Sequence, residues 1–293
     1  MIRPVFALLT ALAVPLAMPA NASDTSIAAS AEEPGGEIIV EGQTERQVRE
    51  FLWRAMTPVS GRKVARRDGP VCFAFDNIDA QLEAALRARI AENLAAIGSD
   101  LAAPGCTPNA TVAFPRSAPA FVKWLKDKQP QIFGSLYGAE LRRFIRTPRV
   151  AYAWHYLPEK ADQIERQRGS SVAFIRADET AGGLAANIGT PAISHSFTVI
   201  EAGAIEGLTI NQLADYITVQ ALVMLEPEIR GEVPASSILA LFDDKGANPQ
   251  APEEMSQVDR VMLGVLYRKG RADFTPGAIR AEVVRELAKA AGE

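Results

Sequence analysis

Two histidines, His155 and His195, are the only imidazoles among 293 residues, and they bound the chemistry open to this chain. A zinc centre takes three or four protein ligands, two or more of them usually His or Cys. If the two cysteines are paired, both histidines must serve and an Asp or Glu must complete the set. A carboxylate such as Asp215 then gives a candidate hydrolase site of His155, His195 and Asp215. The plainer reading of a lone histidine on an apolar strand face is a hydrogen-bonded core residue. His195 shares its strand face with Ile193, Phe197 and Val199. Ser194 and Ser196 flank it but point to the opposite face, so neither can hydrogen-bond it directly. There is no G-x-S-x-G elbow, no C-x-x-C and no glycine loop that would cradle a phosphate. The chain holds 35 Asp and Glu residues, but no spacing singles out a catalytic pair. No cofactor is expected.

Cys72 and Cys106 are the only cysteines, an even count that suggests a disulfide. The segments around them support this. Val71 to Phe75 reads as a buried strand, residues 78–98 as a helix and Ala110 to Phe114 as a second strand. A strand–helix–strand unit makes two parallel neighbours, which places both strand entries at one end of a sheet. Closing that loop would contribute roughly 3–4 kcal/mol on the chain-entropy model.

These groups must be positioned by elements that the hydrophobic pattern marks out. In the helix at 78–98, Ile78, Leu82, Leu86, Ile90, Leu94 and Ile97 form one apolar stripe, with Asp76 and Asn77 as caps. Glu37 to Gly42 is a short strand, and Thr44 opens a helix bearing Val48, Phe51 and Leu52. Helices are expected at 117–128 and 138–146. Residues 149–157 alternate as a strand, with Tyr152, Trp154 and Tyr156 on one face and Ala153, His155 and Leu157 on the other. Ser171 to Arg176 and Ala192 to Ile200 complete what reads as a mostly antiparallel patch. Ala177 to Thr190 between them reads as a loop.

The last third is helical. Thr209 and Gln212 have capping-box spacing for a helix to about Leu225, with Ile210, Leu213, Ile217 and Met224 as its stripe. Ser236 to Phe242 is a short helix, Ser256 caps another to Tyr267, and 276–291 is a final amphipathic helix. The basic run Gly61-Arg62-Lys63-Val64-Ala65-Arg66-Arg67 reads as a solvated loop before the first core strand.

The amino terminus sets the compartment. Arg3 precedes an apolar run from Val5 to Met18, and Ala20-Asn21-Ala22 has the small-x-small form that signal peptidase cuts. This predicts a signal peptide at 1–22, too short to span a bilayer. Residues 23–36 read as a disordered linker and 37–293 as a single α+β domain. Losing Arg3 moves the formal net charge from −4 to −5. An acidic chain placed in the periplasm or outside the cell has no attraction to nucleic acid. No transmembrane segment is expected in the mature chain.

The helix at 209–225, the Ser237-Ile238-Leu239 segment and Met255-Ser256-Gln257-Val258-Asp259 leading to Leu266-Tyr267 resemble the end of metzincin-type zinc peptidases. There an active-site helix is followed by a Ser-Ile-Met turn and a closing helix. The resemblance implies a zincin-like fold, with a mixed sheet covered by helices. The zinc motif itself is lost: Asn211, Gln212, Asp215, Thr218 and Ala221 stand where H-E-x-x-H-x-x-G-x-x-H would be, and Leu239 stands at the turn methionine. The whole chain also resembles secreted alphaproteobacterial proteins of no assigned activity that share the Gln-Leu-Ala-Asp-Tyr helix. The expectation is an exported, non-enzymatic binding or scaffold protein of the cell envelope, with an envelope protein or a small ligand as partner. The alternative is a secreted, metal-dependent peptidase-like hydrolase using His155, His195 and a carboxylate.

Overall fold

The computed structural model describes residues 38–40, 43–56, 63–134, 136–158, 191–225, 233–271 and 274–291. The signal peptide and linker expected at 1–36, the strand expected at Ser171 to Arg176 and the loop expected at Ala177 to Thr190 lie outside them. Gly36–Glu293 is one compact unit.

A four-stranded mixed sheet carries the fold. Its strands are β3 (Phe73–Asp76), β4 (Ala110–Ala113), β5 (Ala151–Tyr156) and β6 (His195–Ile200), in the order β3-β4-β6-β5. A separate short hairpin pairs β1 (Ile38–Val40) with β2 (Gln43–Thr44). The antiparallel pairing expected of residues 149–157 and 192–200 is found between β5 and β6, and the parallel pair expected of the strand–helix–strand unit is β3 and β4. Only β5 runs antiparallel to β6, whereas β3, β4 and β6 are parallel. Strand β6 inserts beside β4, so the strand–helix–strand unit sets the direction of the sheet.

Helix α1 (Glu45–Ala55) precedes the sheet, and α2 (Ala80–Ala96) makes the β3–β4 crossover. The cap of α2 is Asp79, not Asp76 or Asn77. Its carboxylate accepts from Gln81 N at 3.0 Å and Leu82 N at 2.9 Å. Asn77 instead makes the turn before it, at φ 59°, a left-handed conformation that asparagine tolerates. Helices α3 (Ala118–Lys128) and α4 (Gly138–Arg146) follow β4. After β6 come α5 (Ile210–Leu222), a 3-10 turn at Ile238–Leu241, α6 (Gln257–Leu266) and α7 (Pro276–Ala291).

The alternation along the strands divides the core in two. One sheet face carries Tyr152, Trp154 and Val199 into a cluster with Val122, Phe133 and Phe144 from the α3–α4 side. Trp154 stacks between Phe133 at 4.8 Å and Phe197 at 5.0 Å. The other face carries Phe73, Val112, Ala151 and Ile200 into the larger core with α1, α2, α5, α6 and α7.

Helix α5 is the centre of that core. It was expected to show one apolar stripe, yet every residue from Leu213 to Leu222 is buried, while Ile210 at its start is exposed. It is enclosed by the sheet, α2, α6 and the 3-10 turn, so its polar residues must find partners inside. The chain also closes on itself. Val64 N donates to Phe274 O at 2.9 Å and Arg67 N to Tyr267 Oη at 3.0 Å, across 200 residues in the second case.

The cysteines are bonded, with Cα atoms 6.1 Å apart. Cys72 stands directly before β3 and Cys106 four residues before β4. Asn109 locks the same corner: its Oδ1 accepts from Cys72 N at 2.9 Å, and its own N–H donates to Cys72 O at 2.9 Å.

Candidate functional site

Strand pairing decides which chemical groups can meet. In the β5–β6 ladder His155 lies opposite Ser196, and Tyr156 lies opposite His195. Consecutive side chains on a strand point to opposite faces. His155 and Ser196 therefore share the face under α5, while His195 shares the other face with Phe197. The two imidazoles are separated by the sheet itself.

His155 is buried, and its Nε2 donates to the Gln220 carbonyl of α5 at 2.8 Å. A carbonyl can only accept, so the imidazole carries its proton on Nε2. Burial, helped by the Arg67 charge, brings its pKa down to about 4 against the pull of the Gln220 bond. His195 Nε2 lies 2.9 Å from Thr111 Oγ1 on β4, and its ring stacks on Phe197 at 4.4 Å. Burial and Arg67 also bring His195 down to about 4. Both rings are neutral at pH 7.

Asp215 lies on α5, but its carboxylate turns to α2 and the segment before α6. It is fully buried on α5 and accepts four hydrogen bonds. Arg89 of α2 grips both oxygens, through Nε at 2.9 Å and Nη2 at 3.1 Å. Asn93 Nδ2 donates at 2.7 Å and Met255 N at 2.7 Å. The carboxylate joins α2, α5 and the segment before α6. Donating to Asp215 raises the Arg89 pKa above its usual value. His155, His195 and Asp215 are thus not brought together. Among the described residues no three His, Cys, Asp or Glu side chains group so as to hold a metal ion.

The residues overlaid on the zinc motif are also occupied structurally. Thr209 and Gln212 form the expected capping box, and Gln212 Nε2 donates further to Pro252 O at 3.1 Å. Thr218 Oγ1 donates to Ala214 O at 2.8 Å and accepts from Asn93 at 3.3 Å. Asn211 is exposed at the helix start, and Ala221 is buried. The turn and the closing helix do touch. Asp259 accepts from Ser237 Oγ at 2.6 Å, Ile238 N at 2.8 Å, and Ser256 N and Oγ at 3.0 and 2.8 Å. Burial pushes the Asp259 pKa up, and those donors pull against it.

A different cluster emerges around Arg67. The run at 61–67 was expected to be a solvated loop; instead Val64 and Ala65 are fully buried and Arg67 is 3% exposed. Arg66 N donates to Pro191 O at 3.1 Å and Ile193 N to Arg66 O at 2.8 Å, which lays this segment beside the entry to β6. Such strand-like bonding satisfies the backbone and draws Arg67 inward.

The Arg67 guanidinium donates through Nη2 to Ser196 Oγ at 2.9 Å and through Nη1 to Ser194 O at 3.4 Å. Tyr267 Oη accepts from Arg67 N and donates to Leu222 O at 2.8 Å. Burial raises the tyrosine to about 12 and lowers the arginine to about 10, so at neutral pH the cluster holds one positive charge among neutral groups. Sequence reasoning missed it because the charge of the 61–67 run reads as a sign of solvent. The alternation Val64/Arg66 against Ala65/Arg67 was the available signal.

Comparison with family models, with curated proteins and with solved structures finds no match to this chain.

Proposed function

We propose that the chain is exported to the periplasm or beyond and acts there as a non-enzymatic binding or scaffold protein of the cell envelope. On this reading its carboxyl-terminal third is a degenerate descendant of a metallopeptidase-like fold. One observation carries the proposal: the candidate groups His155, His195 and Asp215 are each committed to internal bonding. His155 holds the Gln220 carbonyl, and Asp215 ties two helices and a loop. A general base needs a free lone pair near the operating pH, and two imidazoles held near a pKa of 4 are weak bases at pH 7. The hydrolase alternative requires His155, His195 and a carboxylate in one cleft, and the sheet stands between the histidines.

The test uses the mature chain beginning near Ser23. It is equilibrated with zinc, freed of unbound ion and assayed on fluorogenic peptides and aryl esters. The expected result is no retained stoichiometric zinc and no turnover above buffer. Turnover or zinc lost on replacing both histidines by alanine would establish the hydrolase instead. Export is tested by fusing residues 1–36 to a reporter that is active only outside the cytoplasm.

A further inference from the structure

Charge is unevenly spread along the chain. From Arg116 to Arg149 eight Lys and Arg stand against two acidic residues, a net +6 in a chain whose formal net charge is −4. This segment holds α3 and α4, which touch each other. Both bury apolar residues against one face of the sheet, Val122 and Leu125 from α3 and Phe144 from α4. Their exposed side chains therefore lie on the side away from the sheet. Lys123, Lys126 and Lys128 of α3 and Arg142, Arg143 and Arg146 of α4 are all exposed.

Helix ends account for part of this charge. Lys126, Lys128, Arg143 and Arg146 lie in last turns, where a cation complements the helix dipole. That leaves Lys123 and Arg142 without such a reason, and it does not explain the aromatic rings among the cations. Trp124 is 48% exposed and stacks on Phe121 with centroids 5.8 Å apart. Tyr137, directly before α4, is 39% exposed. Among the described residues large apolar side chains are exposed at four positions, and these are two of them.

We propose that the outer face of α3 and α4 docks on a lipid surface bearing anionic headgroups. Indole and phenol rings have an apolar body and a polar tip, which suits the boundary between headgroups and acyl chains. The cations around them are drawn to negative headgroups, and their long apolar stems let the rings enter while the charges stay in water. The acidic remainder of the chain is repelled by the same surface, which turns this face toward it. Nucleic acid would also meet the charge, but on the exported reading above the anionic surface within reach is lipid. This inference rests on the binding reading and names its partner.

The experiment mixes the mature protein with vesicles of phosphatidylcholine, alone or with an equal share of phosphatidylglycerol, and measures the protein that sediments with them. Binding should require phosphatidylglycerol and fall as salt is raised. Lys123→Glu combined with Arg142→Glu should weaken it by about tenfold or more, since each cation near the surface adds to the attraction. The melting temperature reports whether that variant folds. Brominated lipid should quench the tryptophan fluorescence of the bound, unaltered protein, and Trp124→Phe should lose most of that quenching. This second readout decides alone if the charge variant does not fold. No binding, equal binding to both vesicles, or quenching unchanged in Trp124→Phe overturns the proposal. Tighter binding of a single-stranded oligonucleotide than of the vesicles also overturns it, in favour of a nucleic-acid face. Each of these results leaves the non-enzymatic reading to be judged separately by zinc retention and turnover.

Discussion

His155 and Ser196 face each other across the β5–β6 ladder, yet the imidazole is bonded to a helix carbonyl and the hydroxyl to a guanidinium. The pairing places two residue types of nucleophilic catalysis side by side and gives both to structure. That arrangement makes His155 a stability element with a definite pH dependence.

Unfolded, His155 takes up a proton near pH 6.5, while in the fold its pKa lies at about 4. Between those values the unfolded chain binds more protons. The fold is therefore at full strength above about pH 6.5 and loses up to about 3 kcal/mol from this residue as pH falls toward 4. His155→Gln, which keeps an N–H for the Gln220 carbonyl, should flatten that decline. Urea midpoints measured between about pH 7 and pH 4 check it; parallel curves for the two proteins would refute it.

Asp215→Ala should be among the most damaging single changes. It leaves Arg89, Asn93 and Met255 N without their shared acceptor. The expected loss is about 3 kcal/mol or more, since removing one partner of a buried pair strands the other. Thermal unfolding of the variant measures it. A change below about 1 kcal/mol would show that the carboxylate serves something other than the fold.

Replacing both Cys72 and Cys106 by alanine should lower stability by roughly 3–4 kcal/mol while leaving the β3–β4 pairing in place. Thiol titration of the denatured, unreduced protein should find no free thiol. Two free thiols per chain would contradict the bond.

Thr209→Ala should cost about 1 kcal/mol as a lost helix cap. Capping alone would make Gln212→Ala milder. Because Gln212 also holds Pro252 O, its loss should instead match that of Thr209. Melting temperatures of the two variants compare them directly.

Local signals in the sequence reached the fold well. The stripe through Leu86, Ile90 and Leu94 marked α2, and the Thr209–Gln212 spacing marked the start of α5. The cysteines followed from the strand–helix–strand unit. What was not legible was long-range. Nothing near β6 says that it inserts beside β4 and runs parallel to it. The faces of His155 and His195 were read correctly strand by strand, but their relation needs the register of one strand on the other. Arg67 was misjudged because charge was taken as a sign of solvent. Its burial is set by Pro191, Ile193 and Tyr267, all more than a hundred residues away in sequence.

The bonds from Val64 to Phe274 and from Arg67 to Tyr267 carry a consequence for biosynthesis. Each joins the segment before β3 to one at or beyond the end of α6. A growing polypeptide that ends before Tyr267 has no hydroxyl to receive Arg67 N and no α7 to cover α1. Closure of so long a loop is slow, and its reward comes only once Tyr267 and Phe274 exist. The domain therefore stays open until Tyr267 and α7 have been synthesised.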